Sequence, residues 1–108
     1  MICAATGYIY IGNTSQIAAR LNNRSDLTTP VTDATVKWEV VDDDGPQTGD
    51  MTWDPTYDID GVVGWYVGTI PETLAWTEYK QYEFFVSGLG GSLDGAYYDR
   101  DIRQAVYR

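Results

Sequence analysis

The side chains of this sequence that could do chemistry are mostly carboxylates. Between Asp42 and Asp60 stand seven aspartates (Asp42, Asp43, Asp44, Asp50, Asp54, Asp58 and Asp60), with no Lys or Arg among them. Two carboxyl groups can hydrolyse a glycoside when they lie roughly 5–9.5 Å apart and one has a raised pKa. Aspartates gathered at turns ordinarily serve turn geometry and solvation instead, so hydrolysis is not the expectation. Calcium fits the residue types better. Asp42-Asp43-Asp44-Gly45 and Asp58-Ile59-Asp60-Gly61 each offer hard oxygen ligands beside a turn. Asp42, Asp44, Asp58 and Asp60 are therefore weak calcium candidates, on the premise that loops at one end of a β-sandwich pool their ligands. Neither run completes an EF-hand, because the twelfth position after Asp42 is Trp53 rather than Glu.

Other catalytic chemistry is poorly provided for. The chain has no histidine, which excludes Ser-His-Asp and Cys-His catalysis and all His-ligated metal. Ser92 has no base to activate it. The lone Cys3 reads as an unreactive end rather than a nucleophile, and it has no second cysteine for an intrachain disulfide. Gly88-Leu89-Gly90-Gly91 lacks the GK[ST] ending of a phosphate loop. The expectation is a non-enzyme with no cofactor and no dedicated metal.

These residues must be held by a small scaffold. At 108 residues the chain has the size of one domain, 1–108, and no linker divides it. The start, Met1-Ile2-Cys3-Ala4-Ala5, lacks the basic and apolar regions of a signal peptide. No apolar run approaches the roughly 18 residues that would span a bilayer. A net charge of −9 opposes binding to nucleic-acid phosphates and to anionic lipid, so neither is expected as a partner. A basic protein partner is the electrostatic complement. The aromatic load is heavy, with 4 Trp, 9 Tyr and 2 Phe. One small core needs fewer rings, and the surplus should lie on a binding face.

Alternation predicts strands throughout. Tyr8-Ile9-Tyr10-Ile11 is a short β-prone run. Residues 16–21 place Ile17, Ala19 and Leu21 on one face, and residues 22–30 read as a polar loop. Residues 34–40 give the cleanest strand, with Val36, Trp38 and Val40 inward. Asp42-Asp43-Asp44-Gly45-Pro46 turns the chain, and residues 51–57 are extended. After a turn at residues 58–61, residues 64–70 set Tyr66, Gly68 and Ile70 opposite Trp65, Val67 and Thr69. A connector with room for a helical turn follows at 72–78. Residues 81–87 turn Tyr82, Phe84 and Val86 to one side, and residues 96–107 form a last strand with a bend or bulge. About seven short strands between Gly, Pro and Asp turns predict an all-β fold, an immunoglobulin-like antiparallel β-sandwich. Tyr82 opens an alternating strand, where a tyrosine corner would bond its hydroxyl to backbone a few residues upstream; Tyr79 competes for that role.

Several segments together resemble a known family. They are Asp33-Ala34-Thr35-Val36 leading to Asp44-Gly45, and Asp60-Gly61 before Gly64-Trp65-Tyr66-Val67-Gly68-Thr69-Ile70-Pro71. Thr73-Leu74-Ala75-Trp76-Thr77 and Tyr82-Glu83-Phe84-Phe85-Val86 complete the set. This order and spacing, over roughly residues 16–87, is similar to the small Ig-like structural proteins of tailed bacteriophages. One departure is Glu78-Tyr79-Lys80-Gln81, where such proteins often carry a glycine turn. The resemblance implies a virion structural protein made in the host cytoplasm. It would be a capsid decoration or cement protein on the major capsid protein, or otherwise a head–tail connector or tail accessory protein bound to other virion proteins. A homo-oligomer is compatible with the same composition. Two other classes stand beside it: a carbohydrate-binding sandwich using Trp53, Trp65 or Trp76 as a stacking platform, and an adhesion module.

The expected partner surface combines the chain ends with the surplus aromatics. It comprises Tyr8, Tyr10, Tyr97, Tyr98 and Tyr107 with Arg100 and Arg103, residues 1–7 and 101–108 acting as docking arms.

Overall fold

Period two is plainest at residues 35–42, and there the backbone forms β5 (Thr35–Asp42), with Val36, Trp38, Val40 and Asp42 buried and the intervening residues exposed. The same alternation produces β8 (Gln81–Leu89), which buries Tyr82, Phe84, Val86 and Gly88, and β7 (Val62–Ile70), which buries Tyr66, Gly68 and Ile70. The computed structural model describes residues 7–108. Its other strands are β1 (Gly7–Tyr10), β2 (Ser15–Ala19), β3 (Asn22–Asn23), β4 (Asp26–Pro30), β6 (Gly45–Ile59) and β9 (Tyr97–Val106). Among the described residues there is no helix, hence none long and apolar enough to cross a membrane.

The fold is all-β. Seven strands form one sheet in the order β1-β9-β8-β5-β6-β7-β2, and β3 and β4 pair separately. Three details differ from the sequence reading. The sheet is mixed rather than antiparallel, because β1 runs parallel to β9, with Tyr8 opposite Gln104. Residues 22–30 are not a loop, since β3 and β4 form a small hairpin there. Asp26 fixes the entry to β4 by accepting from the backbone and hydroxyl of Thr28 and the backbone of Thr29. Finally, the connector 71–80 contains turns but no helical turn.

The long β6 is the architectural pivot. Residues 45–51 pair with β5, and residues 52–59 pair with β7. One strand thus belongs to two layers, and the sheet folds over on itself almost as a barrel. Gly49 and Asp50 have poor strand propensity, which hides this continuity in the sequence. Gly49 is there because it lies opposite Trp38, and a Cβ on it would approach the indole Nε1 to 2.5 Å.

The core fills the space between the layers with Ile9, Ile17, Leu21, Val36, Trp38, Tyr66, Ile70, Phe84 and their neighbours. At the open side, Arg103 lies over the Phe84 ring, pairs with Asp101 at 2.7 Å and donates to the Gln16 carbonyl of β2. The penultimate strand β9 is thereby tied to the edge strand β2, with which it shares no backbone ladder.

The Tyr82 hydroxyl accepts from the Thr77 backbone N–H at 2.8 Å, the upstream bond foreseen for it, and donates to Asp43. Tyr79 is exposed and has a positive φ of 69°, so it does not fill that role. Tyr82→Phe removes both bonds and is expected to cost about 1–2 kcal/mol, read as a shifted urea midpoint at unchanged slope. An unshifted midpoint would show that the corner carries no stability.

Candidate functional site

The turns at Asp42–Gly45 and Asp58–Gly61 sit at the two ends of β6, which is 15 residues long. A straight run of that length would cover roughly 45–50 Å, more than the molecule's longest dimension of 41 Å, so β6 bends along its course, and its two turns cap opposite ends of one strand. The premise that the loops share one end is therefore corrected. No group of three or more Cys, Asp or Glu converges among the described residues, so Asp42 and Asp44 do not pool with Asp58 and Asp60 into such a cluster.

Most of these acids have local work. Asp42 accepts from the Ala75 and Asp44 backbones and from Gln47. Asp58 accepts from Gly61 N–H, closing a two-residue turn in which Asp60 and Gly61 both take positive φ. Asp54 accepts from Thr56, and Asp33 from Ser92. Hydrogen bonds from Thr28 and Thr29 hold Asp26 at a pKa of about 2. Those from Ser92, Thr77 and Thr56 likewise lower Asp33, Asp43 and Asp54. At Asp42 burial pushes upward, yet the hydrogen bonds from Ala75, Asp44, Gln47 and Gly45 outweigh it and leave the pKa low. A general acid needs the opposite shift.

Strand parity divides the expected partner surface. Tyr8, Tyr10, Tyr98 and Arg100 face outward from β1 and β9. Tyr8 and Tyr10 lie 6.4 Å apart, with Arg108 over the Tyr10 ring. Arg103 is corrected: it points between the layers and is occupied there. Tyr97 also turns inward, opposite buried Gly88; burial, then the Asp99 charge, pushes its hydroxyl up to about 12. Tyr107 is exposed just beyond β9. Residues 101–106 are ladder residues of β9 rather than an arm. Of the N-terminal arm, all but Gly7 lies outside the described residues, as does Cys3.

The tryptophans form no platform. Trp76 is buried edge-on against Tyr82, and Trp53 packs edge-on against Tyr66. Half-buried Trp65 donates to the Val62 carbonyl and lies under Arg20.

Sequence reasoning missed the outer face of β8, β5 and the first half of β6. Its signal was the doublets Val40-Val41 and Phe84-Phe85. In a strand with one buried face, the second apolar residue of a pair must point to solvent. Val41 is 64% exposed and Phe85 44%. They line one groove of about 520 Å³ with Pro46, Glu39, Glu83 and Lys80. That volume lies within the roughly 300–1,000 Å³ of ligand-holding clefts.

The groove has a structural cause. The β5–β8 ladder ends at Glu39–Phe85, although β5 continues to Asp42 beside β6 and β8 begins at Gln81 beside β9. Between the diverging ends sits the connector. Ala75 N–H donates to Asp42, the Ala75 carbonyl accepts from Asp43 N–H, and the Thr77 hydroxyl donates to Asp43. Trp76 lies below, against Tyr82 and Phe84. Ion pairs occupy the rim: Lys80 with Asp43 at 3.3 Å and Arg100 with Glu83 at 3.2 Å.

No protein-family model, no curated protein and no solved structure matches the chain.

Proposed function

We propose that this protein is a non-catalytic binding domain that works by docking its outer sheet face on another protein. The supporting observation is the solvent-facing groove in which Val41, Pro46 and Phe85 lie together. Apolar side chains gathered contiguously on the wet face of a sheet, as distinct from single scattered ones, mark contact surfaces. The lowered pKa values of Asp26, Asp33, Asp42, Asp43 and Asp54 speak for the same reading, since a general acid needs the opposite shift.

The finer fold we propose is an Ig-like sandwich. Its layers are β1-β9-β8-β5 with the first half of β6, and β2-β7 with the second half. Buried Trp38 on β5 and the Tyr82 corner at the start of β8 are hallmarks of that architecture.

Within this class, the resemblance in the sequence leads us to propose a structural protein of a bacteriophage virion, in first place a capsid decoration protein bound to the coat shell. A head–tail or tail accessory role is the second version. An acidic exterior suits a particle surface that must not adsorb released genomes. The test is mass spectrometry of purified particles from the phage encoding the chain, with wild type and Phe85→Lys compared. Wild-type protein should be present in stoichiometric amount. The Phe85→Lys protein should fold, because the side chain lies on the surface, and should be depleted from particles at least about tenfold, the equivalent of about 1.4 kcal/mol of contact. Particles without the wild-type chain, or turnover of a substrate by the purified protein, would overturn the proposal.

A further inference from the structure

Among the charges around the groove, one carboxylate differs from the rest. Glu83 is engaged by Arg100, and Asp43 by Lys80, Thr77 and Tyr82. Glu39 lies in the middle of the groove wall, between Phe85 of β8 and Thr48 of β6 in the two ladders. Among the described residues it has no ion-pair partner. Lys37, the nearest base on its own strand, sits two residues away and opposite Asp50. An apolar floor with one uncompensated negative charge in its wall is a two-part recognition site.

We infer that the groove takes a segment of a partner protein that presents a bulky aliphatic or aromatic side chain beside a Lys or Arg. The apolar group would cover Val41, Pro46 and Phe85, and the cation would meet Glu39. The chain's net charge of −9 supports a foreign basic partner over a second copy. It draws positive segments in from a distance and opposes self-association, which would bring two Glu39-bearing faces together. This inference rests on the protein-binding reading and adds the chemistry of the bound segment.

The experiment titrates the ¹⁵N-labelled full chain with two capped pentapeptides, acetyl-Gly-Leu-Arg-Leu-Gly-amide and its counterpart with Glu in place of Arg. The arginine peptide should give saturable shifts at residues 39–41, 46–48 and 83–85. It should bind about tenfold more tightly than the glutamate peptide, as a charge-assisted contact allows. Glu39→Gln should erase most of that difference, and added salt should narrow it. Equal binding of both peptides, shifts confined elsewhere, or no shift at millimolar peptide would overturn the inference. So would concentration-dependent broadening of the same resonances without peptide, which would identify a second copy as the occupant. Glu39→Lys introduced into the phage provides an independent arm. Exclusion of the variant from particles supports the inference, whereas normal incorporation overturns it while leaving the binding reading intact. Absence of the wild-type chain from particles is the separate result that removes the virion reading.

Discussion

Trp38→Ala is expected to destabilise the protein by about 3–5 kcal/mol, the range for deleting a large aromatic from a packed core. The indole is 2% exposed and spans the gap between the layers. Gly49 lies beside it on β6. Gly68 faces it from β7, where a Cβ would come within 2.8 Å of both the Trp38 ring and Met51. Phe84 tilts against it at 6.4 Å between centroids. The two glycines thus define a slot with the shape of this ring. A valine at Gly68 should be nearly as damaging as the alanine at Trp38, since the clash is with a ring and a side chain already close-packed. Among the described residues the indole N–H has no acceptor, and a buried unpaired donor costs about 1–3 kcal/mol. Trp38→Phe removes that orphan donor while keeping a ring in the slot, and should cost no more than about 2 kcal/mol. Urea unfolding followed by circular dichroism measures all three variants. A loss below about 1 kcal/mol for Trp38→Ala would mean that the layers are held together elsewhere.

What the sequence disclosed follows from which physics is local. Alternation in residues 35–42 and 81–89 is a property of the strands themselves, so their inward residues were legible, Trp38 and Tyr82 among them. The turn at Asp60-Gly61 was legible too, because both residues accept positive φ. The continuity of β6 was not. Its middle holds Gly49 because the Trp38 ring of β5 lies against it, a contact set by pairing across the β5–β6 turn and not by the pattern within β6 itself. The parallel pairing of β1 with β9 likewise joins residues almost a full chain length apart. At the candidate site, composition flagged tyrosines and arginines, but parity decides which of them face out. Arg103, expected on the partner surface, turns inward on that count. The groove itself was half written in the Val40-Val41 and Phe84-Phe85 doublets. The divergence of β5 from β8 that opens it depends on the connector's backbone bonds to Asp42 and Asp43, which no residue pattern announces.

Those bonds make Asp42 the second position of large effect. Its carboxylate is 5% exposed and accepts from the Ala75 N–H at 2.9 Å, the Asp44 N–H at 2.9 Å and the Gln47 amide at 3.3 Å. One side chain therefore closes the β5–β6 turn and anchors the connector that wedges the groove open. Asp42→Ala removes every acceptor at once and leaves the part-buried Ala75 N–H unpaired. The expected loss is about 2–4 kcal/mol, from one or two charge-assisted bonds and an orphaned donor. Asp42→Asn keeps one carbonyl oxygen and should lose about half as much. The pH dependence follows from the sign of the shift. The folded pKa lies below the ordinary 3.8, so the unfolded chain takes up the proton first as pH falls. The stabilisation is complete above that ordinary value and disappears as pH drops through the lower folded value. Asp26, Asp33, Asp43 and Asp54 are shifted the same way and add to the trend. Relief of self-repulsion in a chain of net charge −9 acts in the opposite sense as the carboxylates are neutralised. Five hydrogen-bonded groups outweigh it, because their partners are fixed within 3.3 Å while the repelling charges are spread over both ends of the molecule. Thermal melts from pH 6 to pH 2.5 should show a steep fall below pH 4 in the wild type and a shallower one in Asp42→Asn. Parallel curves for the two proteins would place the acid sensitivity away from the connector. The groove would then need another support, and the Asp42→Asn protein would keep the wild-type affinity for the arginine peptide.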